Sequence, residues 1–219
     1  MLGAPMAALA VAGCATGRPA GLMAAGPRFD PYYVSMYAAV ETDEFPIPAI
    51  DLKRVDARFL RQEVAYPTYE PPGTIVVDPN ARFAYLVLEN GRALRYGVGV
   101  GKVEAFNFQG EAIIARKAVW PGWRPTPDMI KREPERYGPY ADGVPGGPTN
   151  PLGARALYLY RDGRDTLYRL HGTVEPWTIG TMVSSGCIRF LNQDIIDLHA
   201  RVPVGTRVVV LPATPPAVS

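Results

Sequence analysis

The sequence predicts a mainly β domain with one or two short helices. Short runs of β-branched and aromatic residues recur from residue 73 onward and are separated by turn residues, which is the pattern of strands. Asn90-Gly91 and Asp162-Gly163 are dipeptides that favour two-residue hairpins. Hydrophobic residues make up 47% of the chain, which is ample for a core.

The elements follow in chain order. Strands are predicted at 74–77, 83–88, 93–100, 112–120, 157–160, 167–170 and 206–211. A short helix is expected within 127–132, and Asn192 is expected to cap the N-terminus of a second helix containing Ile195 and Leu198. Residues 187–190 alternate polar and apolar side chains, as the start of a strand does.

The first 72 residues are predicted to lie outside the main domain. Residues 1–14 are apolar, and the tetrapeptide ending at Cys14 resembles the lipobox of bacterial lipoproteins, whose cysteine is lipidated. A flexible Ala/Gly tail with a chance match is the alternative. Residues 15–72 are expected to be a tether and an N-terminal extension, 73–212 the main domain, and 213–219 a tail.

Composition excludes several classes of partner. The net charge is +2 and no basic run is present, so no nucleic-acid partner is expected. No stretch reaches the roughly 18 apolar residues of a membrane span, so membrane attachment is expected only through Cys14. The two histidines and two cysteines lack the close ligand pairs of zinc sites, and neither a metal nor a cofactor is expected.

One stretch carries the chemistry. It runs from His171 to Phe190 and contains one of the two histidines and one of the two cysteines. A thiol is nucleophilic as the thiolate and is mostly protonated at neutral pH, so a nearby imidazole must accept its proton. His171 and Cys187 are therefore a candidate catalytic pair, and a lipidated Cys14 would leave Cys187 as the single thiol.

Neighbouring residues extend this candidate site. Gly172 and Gly186 permit the close backbone approach that aims N–H groups at an oxyanion. Arg189 shares a strand face with Cys187 and could lower the pKa of the thiol or hold a substrate carboxylate. Two alternatives stay open: a buried cysteine that only packs, and a serine nucleophile at Ser184 or its neighbour, although no GxSxG elbow is present.

These residues resemble a known signature. His171-Gly172-Thr173, followed by Ser184-Ser185-Gly186-Cys187-Ile188-Arg189, resembles the active-site motif of the L,D-transpeptidases of the YkuD or ErfK/YbiS type. The resemblance covers roughly residues 73–212. Many members read SHGC where this chain has Ser185 in place of the histidine, so the resemblance implies a Cys/His pair and no second imidazole.

The resemblance implies a β-sandwich of mixed and antiparallel sheets and a catalytic role for four residues. It makes Cys187 the nucleophile, His171 the base, the Gly172 carbonyl the group that orients the ring, and Ser185 an assisting side chain. It also implies an oxyanion hole at the backbone of Gly186 and Cys187. Substrate binding falls to Arg189, Thr173 and Ser184.

A long segment, 121–153, is rich in Pro and Gly and is expected to be a lid. Trp123, Tyr137 and Tyr140 in this segment could contact a sugar or peptide, or could simply pin the loop to the core. Family members carry a lid over the cysteine in this place. His199 is expected to be a packing or surface residue.

The resemblance implies a reaction and partners. A peptidoglycan tetrapeptide stem would acylate Cys187 with loss of D-alanine, and an amine of a second stem would take the acyl group to form a 3-3 cross-link in the periplasm. The alternatives are water as acceptor, an amine of an outer-membrane protein, and a non-catalytic wall-binding module.

Overall fold

The computed structural model describes residues 29–101, 108–184 and 186–213. Within these ranges ten strands form one mixed sheet: β1 Gln62–Ala65, β2 Ile75–Asp78, β3 Phe83–Val87, β4 Arg92–Gly101, β5 Gly110–Val119, β6 Arg155–Arg161, β7 Arg164–His171, β8 Met182–Ser184, β9 Ile188–Phe190 and β10 Arg207–Val210. The α-helices of the described chain are α1 Pro31–Met36, α2 Pro127–Arg132, α3 Pro134–Tyr137 and α4 Asn192–Arg201. Single 3₁₀ turns occur at Leu52–Arg54, Ala57–Phe59, Gly138–Tyr140 and Pro176–Thr178.

The sheet closes on itself. Its strand order is β1-β4-β3-β2-β10-β5-β6-β7-β9, and β9 also pairs with β4. The β2–β10, β4–β8 and β7–β9 pairs are parallel, and the other pairs are antiparallel. The predicted mainly β class with mixed pairing is confirmed, and the two layers of the expected sandwich are continuous because β9 joins β4 to β7.

The predicted hairpins are present. Asn90 and Gly91 have φ of 59° and 67°, and Asp162 and Gly163 have φ of 49° and 73°. Two successive positive φ values match the right-handed twist of the flanking strands, which is why these dipeptides join β3 to β4 and β6 to β7. The second hairpin brings the chain directly along β7 toward His171.

The core lies inside the closed sheet and beneath α4. Tyr96 and Phe190, both fully buried, meet edge to face with ring centroids 5.9 Å apart. Leu170 of β7, Ile188 of β9 and Ile195 of α4 belong to the same buried cluster. Each such side chain contributes roughly 1.5–3 kcal/mol by leaving water, so the strands that carry the site have a well-packed base.

One local expectation about α4 is wrong. Asn192 is the first residue of the helix and not its cap, since Leu191 occupies the cap position without a side-chain hydrogen bond. The Asn192 side chain instead accepts a hydrogen bond from the Ala154 N–H at 3.1 Å. Its amide therefore serves a tertiary contact between α4 and the start of β6.

At the other end of α4, Lys117 donates to the carbonyls of His199 and Val202, which satisfies C-terminal acceptors.

The extension before residue 73 packs onto the sheet and α4. Its strand β1 pairs with β4, so the extension supplies an edge of the same sheet. Tyr37, 1% exposed, donates its hydroxyl hydrogen to the fully buried Asp194 carboxylate and accepts the Arg61 N–H at 2.6 Å. Arg61 also forms an ion pair with Asp197 at 2.8 Å. These contacts tie residues outside the expected main domain to the helix that follows the cysteine.

Candidate active site

His171 is the last residue of β7, and its strand partners fix the direction of its side chain. It lies opposite Ala156 on β6 and opposite Arg189 on β9. The preceding Leu170 points into the core and is fully buried. Because side chains alternate along a strand, His171 and Arg189 project from the opposite face.

The imidazole of His171 is oriented by the next residue. Its Nδ1 lies 2.6 Å from the Gly172 carbonyl oxygen, and the ring is buried with 4% exposure. A carbonyl can only accept, so Nδ1 carries the proton in the neutral ring and Nε2 keeps its lone pair. This is the contact that the family resemblance implied for Gly172, and the tautomer is the one a base acting through Nε2 needs.

Gly172 is glycine because no room exists for a side chain. A Cβ at this position would lie 2.2 Å from Asn192 Oδ1 and 3.2 Å from Ile195 Cγ2. The Gly172 N–H donates to the Arg155 carbonyl at 3.1 Å. Gly172 is thus held by β6 through its N–H and is packed against α4 at its Cα. Sequence reasoning missed Asn192 here, because an Asn before a helical pattern is typical of a cap.

Cys187 immediately precedes β9 and is partly exposed. Gly186, just before it, has φ of 130°, a conformation that side chains disfavour. Extending the β7–β9 register by one residue places Cys187 opposite Arg169, two positions from His171 on the same face. For ideal strands about 4.8 Å apart with a rise of about 3.3 Å per residue, this register corresponds to a Cα–Cα separation of about 8 Å between Cys187 and His171.

An irregularity in β7 brings one more carbonyl to the thiol. The β6–β7 register shifts between Tyr158 and Tyr160, and Leu167 has φ of 64°. Thr166 stabilises the bulge by donating from Oγ1 to the Leu159 carbonyl at 2.6 Å. Cys187 Sγ lies 3.8 Å from the Leu167 carbonyl. The sequence indicated a regular strand here, because alternation alone does not reveal a bulge.

Arg189 is engaged by a residue that sequence reasoning did not single out. Its Nη1 forms an ion pair with Glu175 Oε2 at 2.8 Å and approaches Thr178 Oγ1 at 3.5 Å. The Arg189 side chain is 12% exposed, whereas that of Glu175 is 46% exposed. The guanidinium is therefore a buried part of the site face, and Glu175 lies at its rim.

Burial dominates the electrostatics of the candidate pair. It lowers the pKa of His171 to about 3, with the Arg189 charge acting in the same direction and the Gly172 and Leu152 backbones opposing. Burial raises the pKa of the Cys187 thiol, partly opposed by Arg169 and Arg189. Both side chains are consequently neutral near pH 7. Proton transfer from sulfur to imidazole must then accompany attack on the substrate.

Other predicted residues have distinct positions. Thr173 is buried and its Oγ1 accepts the Glu175 N–H at 3.1 Å, so it shapes the turn after the histidine. Ser184 ends β8 opposite Gly101 of β4. Ser185 and Cys14 lie outside the described residues.

The expected lid contains the predicted helix and a cluster of aromatic rings. The helix α2 has the predicted bounds, and Trp123 packs against Tyr137 at 6.2 Å and Tyr140 at 6.0 Å between ring centroids. Trp123 therefore contacts both tyrosine rings. The pKa of Tyr168 is raised mainly by burial and is also influenced by Cys187 and by Arg132 at the end of α2. The C-terminal end of α2 and the thiol thus both lie within electrostatic range of the same phenol.

In the described ranges, no three His, Cys, Asp or Glu side chains are grouped so that they could hold a metal ion. The same ranges contain no helix with the length and apolar character needed to cross a membrane.

Enzymes with a thiol nucleophile activate it with an adjacent base such as an imidazole, and here β7 ends at His171 while its parallel neighbour β9 begins directly after Cys187. The model of the YkuD family, the L,D-transpeptidase catalytic domain, matches residues 72–210. The chain therefore belongs to the YkuD family of L,D-transpeptidase catalytic domains.

Individual relatives agree with this family. The probable L,D-transpeptidase ErfK/SrfK of Escherichia coli K12 is 33% identical over 151 residues, which are 68% of this chain and 47% of that protein. The probable L,D-transpeptidase YbiS of the same organism is 33% identical over 148 residues, 67% of this chain and 47% of that protein. The chain thus matches about half the length of these relatives.

A solved structure from Brucella melitensis is more similar in sequence. It is described as a probable carnitine operon oxidoreductase, caia, and is 50% identical, with 74% of this chain and 99% of that chain covered and a TM-score of 0.49. The oxidoreductase description applies to that protein. Because the TM-score is below 0.5, the structural similarity does not support an oxidoreductase activity for this chain.

Proposed function

We propose that this chain is a peptidoglycan L,D-transpeptidase that transfers an acyl group from one stem peptide to another through a thioester on Cys187. The observation that carries the proposal is the register of β7 and β9. Continued by one residue, that register would bring Cys187 to the same face as His171, whose Nδ1 lies 2.6 Å from the Gly172 carbonyl. The family membership supports the same reaction class.

Acylation begins with a neutral pair. As Cys187 sulfur attacks the carbonyl between a diamino acid and a terminal D-alanine, its proton passes to His171 Nε2. The backbone N–H groups of Gly186 and Cys187 stabilise the oxyanion, a contribution whose loss typically costs about 10²- to 10³-fold in rate. The C–N bond then breaks, the imidazolium returns its proton to the nitrogen, and D-alanine leaves.

Transfer reverses the roles. A side-chain amine of a second stem attacks the thioester carbonyl and gives a proton to His171, and the C–S bond breaks as the thiol is regenerated. The product is a 3-3 cross-link. Water in place of the amine would make the chain an L,D-carboxypeptidase, and an amine of an outer-membrane protein would anchor that protein to the wall.

Substrate binding is assigned to the residues around this pair. Arg189 faces the same side as the thiol and would hold a substrate carboxylate, with Glu175 keeping the guanidinium in place between turnovers. Thr173 and Ser184 flank the same region, and Ser185 is kept as an assisting residue. The lid with Trp123, Tyr137 and Tyr140 would cover bound peptide.

The place of action follows from the substrate. Peptidoglycan lies in the cell envelope, so we assign the protein to the periplasm, held at a membrane if Cys14 is lipidated. Globomycin treatment, which blocks processing of lipoproteins, tests the anchor: accumulation of an uncleaved form supports it, and an unchanged mature mass removes it.

The proposed reaction is tested by mass spectrometry of tetrapeptide muropeptides incubated with the purified protein. A dimer lacking one D-alanine supports the transpeptidase, and a tripeptide monomer alone supports hydrolysis. Cys187→Ala should abolish either product, and more than a few per cent of residual turnover would contradict the mechanism. His171→Gln should be equally inactive, whereas His199→Gln, the matched histidine variant, should retain activity.

Absence of any product from the unaltered protein is resolved with a carbapenem. Acylation of Cys187 by the carbapenem would indicate a different acceptor or stem, such as an outer-membrane protein. Absence of acylation would favour the wall-binding module and refute the enzymatic proposal.

A further inference from the structure

Asn192 connects α4 to the backbone that orients the histidine. It is the first residue of α4 and is 9% exposed. Its Oδ1 accepts the Ala154 N–H at 3.1 Å, so the oxygen faces the start of β6. This contact joins residues 38 positions apart, and a helix-capping role would not require it.

The same oxygen lies between two glycines. A Cβ added at Gly172 would be 2.2 Å from Asn192 Oδ1, and one added at Gly153 would be 2.3 Å from it. The Cβ added at Gly153 would also be 2.7 Å from Thr173 N and 2.8 Å from the Gly172 carbonyl carbon. The amide is therefore inserted where the turn before β6 packs directly on the Gly172–Thr173 peptide.

That peptide carries the acceptor that orients the histidine ring, and the Leu152 backbone is a second group that acts on the imidazole. The Gly172 carbonyl is 2.6 Å from His171 Nδ1, and rotation of the peptide would move this acceptor away from the ring. The Gly172 N–H is held separately by the Arg155 carbonyl, which restrains the strand and leaves the carbonyl end of the residue to other contacts. Oδ1 of Asn192 packs against the Cα of Gly172, and the Gly153 residue that it also contacts lies against the Gly172 carbonyl carbon.

We propose that Asn192 is a positioning residue for His171: its side-chain oxygen holds the Gly153–Ala154 turn against the Gly172 peptide, so that the Gly172 carbonyl keeps the ring in one tautomer and orientation. The consequence for acyl transfer rests on the proposed function. The consequence for the imidazole does not, and it can be measured without any substrate.

The neighbouring Gln193 provides a matched control. It is 6% exposed and its Nε2 donates to the carbonyls of Ala38 at 3.1 Å and Pro48 at 3.0 Å. Gln193 thus anchors the same first turn of α4 with buried hydrogen bonds, but toward the N-terminal extension. If the Asn192 variant acted only by loosening the first turn of α4, the Asn192 and Gln193 variants should change the tautomer of His171 and the acylation rate equally.

The first measurement is nitrogen-15 NMR of the two histidine side chains near pH 7. In the unaltered protein and in Gln193→Ala, His171 should be protonated at Nδ1 only. In Asn192→Ala its two nitrogen signals should move toward a mixture of tautomers, while those of His199 stay in place. Asn192→Asp keeps an acceptor oxygen at a helix N-terminus, where a carboxylate is tolerated, and should restore the single tautomer.

The second measurement is the rate of Cys187 acylation by a carbapenem. A misplacement of about 1 Å costs on the order of 10²-fold, so Asn192→Ala should lose about 10- to 100-fold while Asn192→Asp and Gln193→Ala stay within about 3-fold. The proposal is refuted if Asn192→Ala keeps the single tautomer, or if Gln193→Ala alters tautomer and rate as much.

Two further results distinguish failure of the positioning role of Asn192 from failure of the proposed enzymatic function. If Asn192→Ala does not fold, Asn192→Asp decides: loss of the Nδ1-protonated form in a folded Asn192→Asp protein refutes the positioning role. If the unaltered protein is not acylated at all, the enzymatic proposal fails, and the NMR comparison still decides whether Asn192 positions the ring.

Discussion

Gly172→Ala tests the packing at the histidine most directly. The added Cβ would be 2.2 Å from Asn192 Oδ1 and 3.2 Å from Ala154 N. Reaching ordinary contact distances requires a shift of roughly 1 Å. The Gly172 carbonyl moves with its own Cα, so the shift is transmitted to the imidazole at Nδ1. A displacement of this size is expected to cost about 10²-fold in the rate of acylation, and overpacking about 1–3 kcal/mol in the free energy of unfolding.

The assay combines intact-protein mass spectrometry during carbapenem acylation with chemical unfolding. Gly138→Ala is the matched control, because a Cβ there meets nothing within 4 Å and the backbone is already helical, with φ of −54°. That variant should be as stable and as reactive as the unaltered protein. A Gly172→Ala protein that acylates within about 3-fold of the Gly138→Ala protein would refute the reasoning.

The double variant Gly172→Ala with Asn192→Ala separates the clash from the positioning. Removing the amide removes the atom nearest to the new Cβ, so stability should recover relative to Gly172→Ala. Acylation should stay low, because the contact that orients the Gly172 peptide is also gone. No recovery of stability would show that the steric conflict is not with Asn192.

Three further predictions follow from charge and burial. Because the pKa of His171 is lowered and that of Cys187 is raised, the acylation rate should be level from about pH 5 to 8. It should fall only in more acidic solution. An inflection near pH 6.5 would contradict a buried neutral imidazole. Glu175→Gln removes the charge that pairs with Arg189. The KM for the donor peptide should then change several-fold, while kcat stays within about 2-fold. An unchanged KM would argue against a substrate role for this ion pair. Burial raises the pKa of Asp194 to about 7, so the native state holds an extra proton between about pH 4 and 7. The free energy of unfolding therefore falls by up to about 4 kcal/mol as the pH rises through that range. Asp194→Asn should abolish this slope in urea titrations, and a variant with the original slope would disprove the assignment.

The local elements follow from the sequence to a large extent. The hairpins at Asn90-Gly91 and Asp162-Gly163, the bounds of α2 and the strand that leads into His171 are all present as predicted. These features depend on turn dihedrals and short-range alternation, which neighbouring residues control. The choice of His171 and Cys187 as the candidate pair also came from the sequence, through the family motif, and it stays a prediction.

Other features depend on contacts between distant parts of the chain. The β7 bulge at Leu167, the Glu175–Arg189 ion pair and the attachment of the extension through Tyr37 and Asp194 leave no signal in local periodicity. Asn192 shows the limit most clearly: its position before a helical pattern indicated a cap, yet its oxygen bonds to Ala154, which is 38 residues away.

The sequence by itself determined the strand-rich class, the tight hairpins and the identity of the candidate pair, because backbone preferences and a short motif are local properties. Only the tertiary structure decided that the sheet closes through β9, that burial keeps His171 and Cys187 neutral, and that Gly172 packs against α4. These properties depend on which distant groups exclude water and which backbone atoms come into contact, and chain order alone does not specify them.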